Sequence, residues 1–272
     1  MNKVNEHYLG ENGLYVKETV PDKLRLETPL IFIHGAFGGA FVWDKFLEYF
    51  SEKGFKCYAL SLRGHRLSKE IGLKGVALED YVSDLRLITD YFSIKEPILI
   101  GHSMGGLIAF MYGEKYETKG IIGLDPALTK EFWDQERKNL IDEIPSVATM
   151  IDVGLHIKPE KIIGSIPDID VEDLAQYAVG YRKESGKALI QMIQESQVDP
   201  QKIKDVSIYI ISADYDRLMP FSIPNNQLKK MAKKYNAQFI NMKGVSHVGM
   251  LYGEKYERVA KKVNKYLNKI CK

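Results

Sequence analysis

Apolar residues along this chain fall into two rhythms. Short, largely apolar runs predict strands covered on both faces: Leu30–Ile33, Lys56–Leu60, Ile98–Ile100, Gly120–Leu124, Ser207–Ser212 and Gln238–Asn241. Weaker strand signals at Leu14–Glu18 and Lys23–Glu27 predict an N-terminal hairpin. Between the runs, apolar residues recur at threes and fours. They predict helices over Val42–Lys53, Glu79–Tyr91, Met104–Lys115, Gln227–Lys234 and Glu254–Ile270. Strands alternating with helices imply an α/β fold, a mostly parallel sheet with crossover helices on both faces.

One stretch breaks the alternation. Between Leu128 and Lys204 the sequence has no core strand. It suggests short helices at Lys130–Ile141, Val147–Leu155, Val171–Arg182 and Gly186–Glu195, punctuated by Pro145, Pro159, Pro167 and Pro200. Such a segment, about 75 residues, is too long for an ordinary crossover. The expected organisation is an α/β core made of residues 1–127 and 205–272, with an inserted helical cap, residues 128–204, over the carboxyl edge of the sheet.

Composition narrows the class. The 272 residues are 45% hydrophobic and 27% charged, enough for a substantial core and unlike low-complexity disorder. Lys plus Arg is 38 and Asp plus Glu is 36, a net charge of +2, so no nucleic-acid partner bound through bulk charge is expected. The longest unbroken apolar run, Leu107–Tyr112, is six residues. A membrane helix needs about 20, so integral membrane insertion is not expected. The segment Met1–His7 has no apolar secretory stretch, and neither Cys57 nor Cys271 sits in a paired or metal-ligating spacing. A cytoplasmic protein with reduced thiols is expected. Neither a dinucleotide fingerprint nor a phosphate loop is present, and no His/Cys cluster has metal-ligand spacing, so no cofactor or metal is expected.

Three segments carry chemistry. Gly101-His102-Ser103-Met104-Gly105-Gly106 follows the strand Ile98–Ile100 and opens the helical run Leu107–Tyr112. A G-x-S-x-G sequence between strand and helix makes a sharp turn that exposes a serine nucleophile, here Ser103, at a helix N-terminus favouring negative charge. His34-Gly35-Ala36-Phe37-Gly38-Gly39 follows the strand Leu30–Ile33. The backbone N–H groups of Ala36 and Met104 could together hold the oxyanion of a tetrahedral intermediate. Gly244-Val245-Ser246-His247-Val248-Gly249 follows the strand Gln238–Asn241. Of the six histidines only His247 lies after the last strand, so it is the expected general base. That base needs an orienting carboxylate, and three acids sit near strand ends. Asp216, four residues before Pro220, is preferred; Asp214 would cap or brace that loop; Asp125 follows Gly120–Leu124 and faces the same edge, or else begins the cap hinge.

Taken together, these motifs resemble the α/β-hydrolase superfamily. The matching pieces are the His34–Gly39 loop, Arg63-Gly64-His65, the Gly101–Gly106 turn, Asp216 with Pro220, and Gly244-Val245-Ser246-His247, running in the superfamily's order from residue 34 to 247. The resemblance implies a sheet of roughly eight strands, a helical cap and a triad in the order Ser103, Asp216, His247. The serine at 103 separates the chain from branches with an aspartate nucleophile. The run from His34 to Trp43 resembles small plant-type esterases, whose hydroxynitrile-lyase cousins usually carry threonine at the position of Gly35. Arg66 stands where the family usually has glycine.

The expected function is cleavage of small-molecule carboxylic esters with small-to-medium apolar acyl groups, through an acyl-enzyme. By position, Phe37, Leu128, Trp133, Leu218 and Val248, with Met104, would line the acyl pocket. Alternatives are another reaction of the same triad (lactone, thioester or C–C bond hydrolysis, or perhydrolysis) and a non-catalytic ligand sensor. A homodimer is left open.

Overall fold

Eight strands form one sheet in the computed structural model, which describes residues 3–139, 141, 143–153, 168–169, 183–215 and 223–271. The strands are β1 (Lys3–Leu9), β2 (Leu14–Val20), β3 (Leu26–Ile33), β4 (Phe55–Leu60), β5 (Ile98–His102), β6 (Gly120–Leu124), β9 (Ser207–Tyr215) and β10 (Gln238–Ser246). Their order is β1-β2-β4-β3-β5-β6-β9-β10, with β2 antiparallel to both β1 and β4 and the other neighbours parallel. Leu30–Ile33, all of β5 and all of β6 are buried, as strands covered on both faces must be.

The helices are amphipathic where one face meets water. In α1 (Asp44–Glu52), Phe46, Leu47 and Phe50 turn inward. In the last helix, α7 (Tyr256–Ile270), Val259, Ala260, Val263, Tyr266, Leu267 and Ile270 do so at threes and fours. Helix α3 (Met104–Gly113) is apolar all round and buried throughout. It packs on β5 and β6 and against α2 (Leu78–Tyr91). An aromatic cluster fastens α1 to the sheet: the ring centroid of Phe32 lies 5.1 Å from Trp43 and 5.9 Å from Phe50. Each such buried side chain contributes about 1.5–3 kcal/mol of burial free energy.

Two expectations change. The N-terminal hairpin joins β1 to β2, not Leu14–Glu18 to Lys23–Glu27. β1 is an edge strand whose side chains are mostly exposed, so burial places no apolar pattern on it. In the cap, Val147–Thr149 is not helical. It is strand β7, paired antiparallel with β8 (Lys183–Ser185); the β-branched Val147 and Thr149 flank a fully buried Ala148, a period-two pattern. The remaining described cap elements are a 3-10 turn (Lys130–Phe132), α4 (Gln135–Asn139), α5 (Gly186–Ile190) and a π turn (Gln191–Glu195). The expected helix Val171–Arg182 lies outside the described residues. Helix α6 (Asn225–Lys234) connects β9 to β10. No helix among the described residues is long and apolar enough to cross a membrane.

Candidate active site

Ser103 occupies the turn between β5 and α3 with φ +53° and ψ −124°. A non-glycine residue in the left-handed half of backbone space is strained, and it persists only where its surroundings over-determine it. Here they do. The Ser103 N–H donates to the Leu124 carbonyl at 3.1 Å, and the Ser103 carbonyl accepts from Gly106 and Ala127, each at 2.9 Å. The turn also requires a bare backbone. A Cβ on Gly101 would fall 2.2 Å from the Gly105 carbonyl oxygen, and one on Gly105 would fall 2.2 Å from that of Ile33. Ser103 retains 9% exposure, so its hydroxyl sits in a recess.

The His34–Gly39 loop lies against this serine. A Cβ on Gly35 would stand only 2.9 Å from Ser103 Cβ. Residues 35–38 form a turn closed by Gly38 N–H donating to the Gly35 carbonyl at 3.2 Å, with Phe37 at φ +65°. His34 props this turn from beneath. Its Nε2 accepts the Leu62 N–H at 3.0 Å, so the proton is on Nδ1 and donates to the Gly35 carbonyl at 2.7 Å. Burial, with the adjacent His65, pushes the His34 pKa down to about 3, consistent with that neutral ring. Among the described hydrogen bonds none engages the N–H of Ala36 or of Met104.

The third component is the loop after β10. The His247 carbonyl accepts from His102 Nε2 at 2.9 Å, and the two rings stand 4.3 Å apart, so the histidine loop is tied to the neighbour of the serine. Burial, reinforced by His247, holds His102 well below the ordinary imidazole pKa. His247 Nδ1 lies 2.6 Å from Asp125 Oδ2. Asp125 is buried and takes φ +44° directly after β6; its Oδ1 accepts the Ala213 N–H at 3.0 Å. On its far side, the histidine loop meets Asp168, from the segment expected as a cap. Asp168 accepts the Ser246 N–H at 2.9 Å and its hydroxyl at 2.6 Å.

The family model of the alpha/beta hydrolase fold matches residues 28–149. A carboxylesterase structure from the ammonia-oxidizing thaumarchaeon Nitrososphaera gargenis superposes with a TM-score of 0.70 at 17% identity, covering 98% of each chain. The chain has the α/β-hydrolase fold. A bifunctional esterase/perhydrolase from Acinetobacter calcoaceticus is 20% identical over 81% of this chain and 86% of its own length. A monoacylglycerol lipase from Mycolicibacterium smegmatis is 29% identical over 55% of the chain and 50% of its own length.

The structure brings together Ser103 with Gly35 and the His247 loop with His102. Asp216 and Leu218, expected as orienter and pocket residue, lie outside the described residues. Asp214 braces the histidine loop, accepting the Gly244 N–H at 2.9 Å. Phe37, Leu128, Trp133 and Val248 are buried, and Trp133 Nε1 donates to the Leu128 carbonyl at 2.9 Å. Phe37 also lines a cavity of about 810 Å³, which Arg66, Leu67, Val147 and Lys183 border. Arg63 of the Arg63-Gly64-His65 motif anchors its loop to α2, with Nε 2.8 Å and Nη2 2.7 Å from Asp84 Oδ1.

Sequence reasoning missed two residues. Asp168 and Glu184, both in the segment expected as a cap, are buried against the His247 loop and the His34–Gly39 loop respectively. Glu184 carries no local signal, because its partners Tyr81, His65 and Phe37 lie 103 to 147 positions away, and only the Ser185 N–H is local. Among the described residues no group of three or more His, Cys, Asp or Glu side chains is arranged to hold a metal ion.

Proposed function

We propose that this α/β-hydrolase is a serine hydrolase that cleaves carboxylic esters of small-to-medium apolar acyl groups through an acyl-enzyme. The reading is carried by Ser103, held on its strained turn beside a histidine loop whose His247 has Nδ1 on a buried carboxylate.

The chemistry follows from these positions. With its proton on Nδ1 donated to Asp125, the neutral His247 ring has Nε2 as its basic nitrogen. It takes the Ser103 hydroxyl proton as Oγ attacks the ester carbonyl. The N–H groups of Ala36 and Met104 receive the oxyanion; one such donor is worth about 3 kcal/mol. The C–O bond then breaks, and the alcohol leaves with the proton held by His247. Water attacks the acyl-enzyme, His247 takes its proton, and the carboxylic acid is released as Ser103 regains its hydrogen.

The orienting carboxylate is assigned to Asp125 on its 2.6 Å contact; Asp216 keeps its place as the candidate suggested by sequence order. Esterases and lipases among the relatives support the substrate class.

Initial rates on 4-nitrophenyl esters from acetyl to palmitoyl, for the wild type and Ser103→Ala, test the proposal. A rate that peaks at one chain length and vanishes in the variant is expected. Equal rates in both proteins would overturn the serine mechanism, and no turnover at any length would overturn the ester reading.

A further inference from the structure

Glu184 belongs to the cap, yet its side chain is fully buried against the oxyanion loop. Its Oε2 accepts the Phe37 N–H at 3.1 Å and His65 Nε2–H at 3.0 Å. Its Oε1 accepts the Tyr81 hydroxyl at 2.5 Å and the Ser185 N–H at 2.8 Å. All four partners donate, so the ionised carboxylate, an acceptor only, is the form that fits. His65 is matched in the same way. Its Nδ1 meets the Arg63 carbonyl at 3.0 Å, so both ring nitrogens face acceptors and the imidazolium is favoured. The pair is therefore close to neutral as a unit, and it sets no net negative charge beside a developing oxyanion.

The contact falls on the strained residue of the loop. Phe37 has φ +65°, and Gly35 two residues earlier is pressed against Ser103. The Ala36 N–H lies in the peptide plane of the Gly35 carbonyl, which accepts from His34 Nδ1 and from the Gly38 N–H. Glu184, by fixing the Phe37 N–H, anchors the next plane, so Ala36 is clamped between two held peptides and its N–H keeps its aim.

We propose that Glu184 is a positioning residue: from the cap, through Phe37 N–H and His65, it aims the oxyanion loop at the carbonyl attacked by Ser103. This inference rests on the serine-hydrolase reading. The oxyanion exists only in the transition state, so the contact acts on kcat and leaves KM nearly unchanged.

The test compares Glu184→Ala, Glu184→Gln and Gln191→Ala on 4-nitrophenyl butyrate. Gln191 is the control: its Oε1 accepts the Leu78 N–H at 3.0 Å, a cap contact that does not involve the oxyanion loop. Glu184→Ala is expected to lower kcat by about 10²-fold, the cost of a misplaced oxyanion donor. KM should stay within a few-fold. Affinity for n-butylboronic acid, which forms a tetrahedral adduct, should fall in step with kcat. Glu184→Gln is expected to fall between, because one carbonyl oxygen can still accept the Phe37 N–H. Gln191→Ala should lower Tm and keep kcat.

A Glu184→Ala enzyme with wild-type kcat, or one that loses no more than Gln191→Ala, would overturn the inference while leaving the serine mechanism standing. Should Glu184→Ala fail to fold, Glu184→Gln and Tyr81→Phe carry the same comparison. A wild type without Ser103-dependent turnover would instead overturn the hydrolase reading. In that case amide exchange at residues 35–38 reads the contact directly, and protection unchanged in Glu184→Ala, which removes the acceptor, would end the inference too.

Discussion

His247 Nδ1 lies 2.6 Å from Asp125 Oδ2, a contact between two buried side chains 122 positions apart. Strand pairing explains how they meet. β6 runs between β5 and β9, with Leu124 opposite both His102 and Ile211, so Asp125 leaves the sheet beside Ser103. Its backbone N–H donates to the Ile211 carbonyl at 2.7 Å, which holds the carboxylate at that edge.

Asp125→Asn should therefore disable the base without unfolding the chain. An amide on Nδ1 favours the wrong tautomer, and the expected loss in kcat is about 10³- to 10⁴-fold. Asp216→Asn, made in parallel, should cost less than tenfold by the same reasoning. Steady-state rates on one ester decide between them, and the reverse pattern would move the orienter to the loop after β9.

The Glu184–His65 pair sets a pH window for stability. Burial disfavours the His65 imidazolium, but Glu184, the Arg63 carbonyl and Asp84 outweigh it and raise the pKa above its ordinary value, despite the adjacent neutral His34. The stabilisation from His65 is present below about pH 6.5 and is lost as pH rises through the raised value. For Glu184, burial is outweighed by His65, Tyr81 and the Ser185 N–H, which lower its pKa. Its stabilisation is present above the ordinary carboxylate range and is lost as pH falls through the lowered value. Urea unfolding across that range should show wild-type stability declining on the alkaline side, and His65→Asn should remove that slope. A slope retained in the variant would refute the assignment.

Gly35→Ala probes the closeness of the oxyanion loop to the serine. The new Cβ would stand 2.9 Å from Ser103 Cβ and 3.2 Å from the His102 carbonyl oxygen. The loop must retreat, and kcat is expected to fall by about tenfold or more, since small misplacements near reacting atoms are costly. Unchanged turnover would mean that the loop yields without losing its aim.

Asp168→Ala tests the cap contact on the histidine loop. Two donors of Ser246, its N–H and its hydroxyl, would lose their acceptor. Leaving a buried donor unpaired costs about 1–3 kcal/mol, which denaturant unfolding can read. Because Ser246 adjoins His247, turnover should fall as well; wild-type stability and rate together would dismiss the contact.

Much of this architecture was legible in the sequence. Strands buried on both faces, such as Ile98–His102 and Gly120–Leu124, announce themselves as apolar runs, and the glycines around Ser103 mark a turn that tolerates no side chain. β1 was not legible because an exposed edge strand needs no apolar face. Nor was the β7–β8 pair, since three-residue strands are shorter than any reliable period. Spacing along the chain ranked Asp216 above Asp125; the structure describes Asp125, 2.6 Å from the His247 ring, whereas Asp216 lies outside the described residues. Glu184 was invisible because its partners come from the oxyanion loop, the His65 loop and α2, and converge only after the cap has docked.

Phe37, Ser103 and Asp125 follow the neighbouring strands β3, β5 and β6, and all three hold a left-handed backbone without being glycine. Each such residue lowers stability by roughly 1–3 kcal/mol. This edge is thus where the chain trades robustness for chemistry. Selection for heat resistance alone should relax these three positions first, giving a hardier protein with a duller active site.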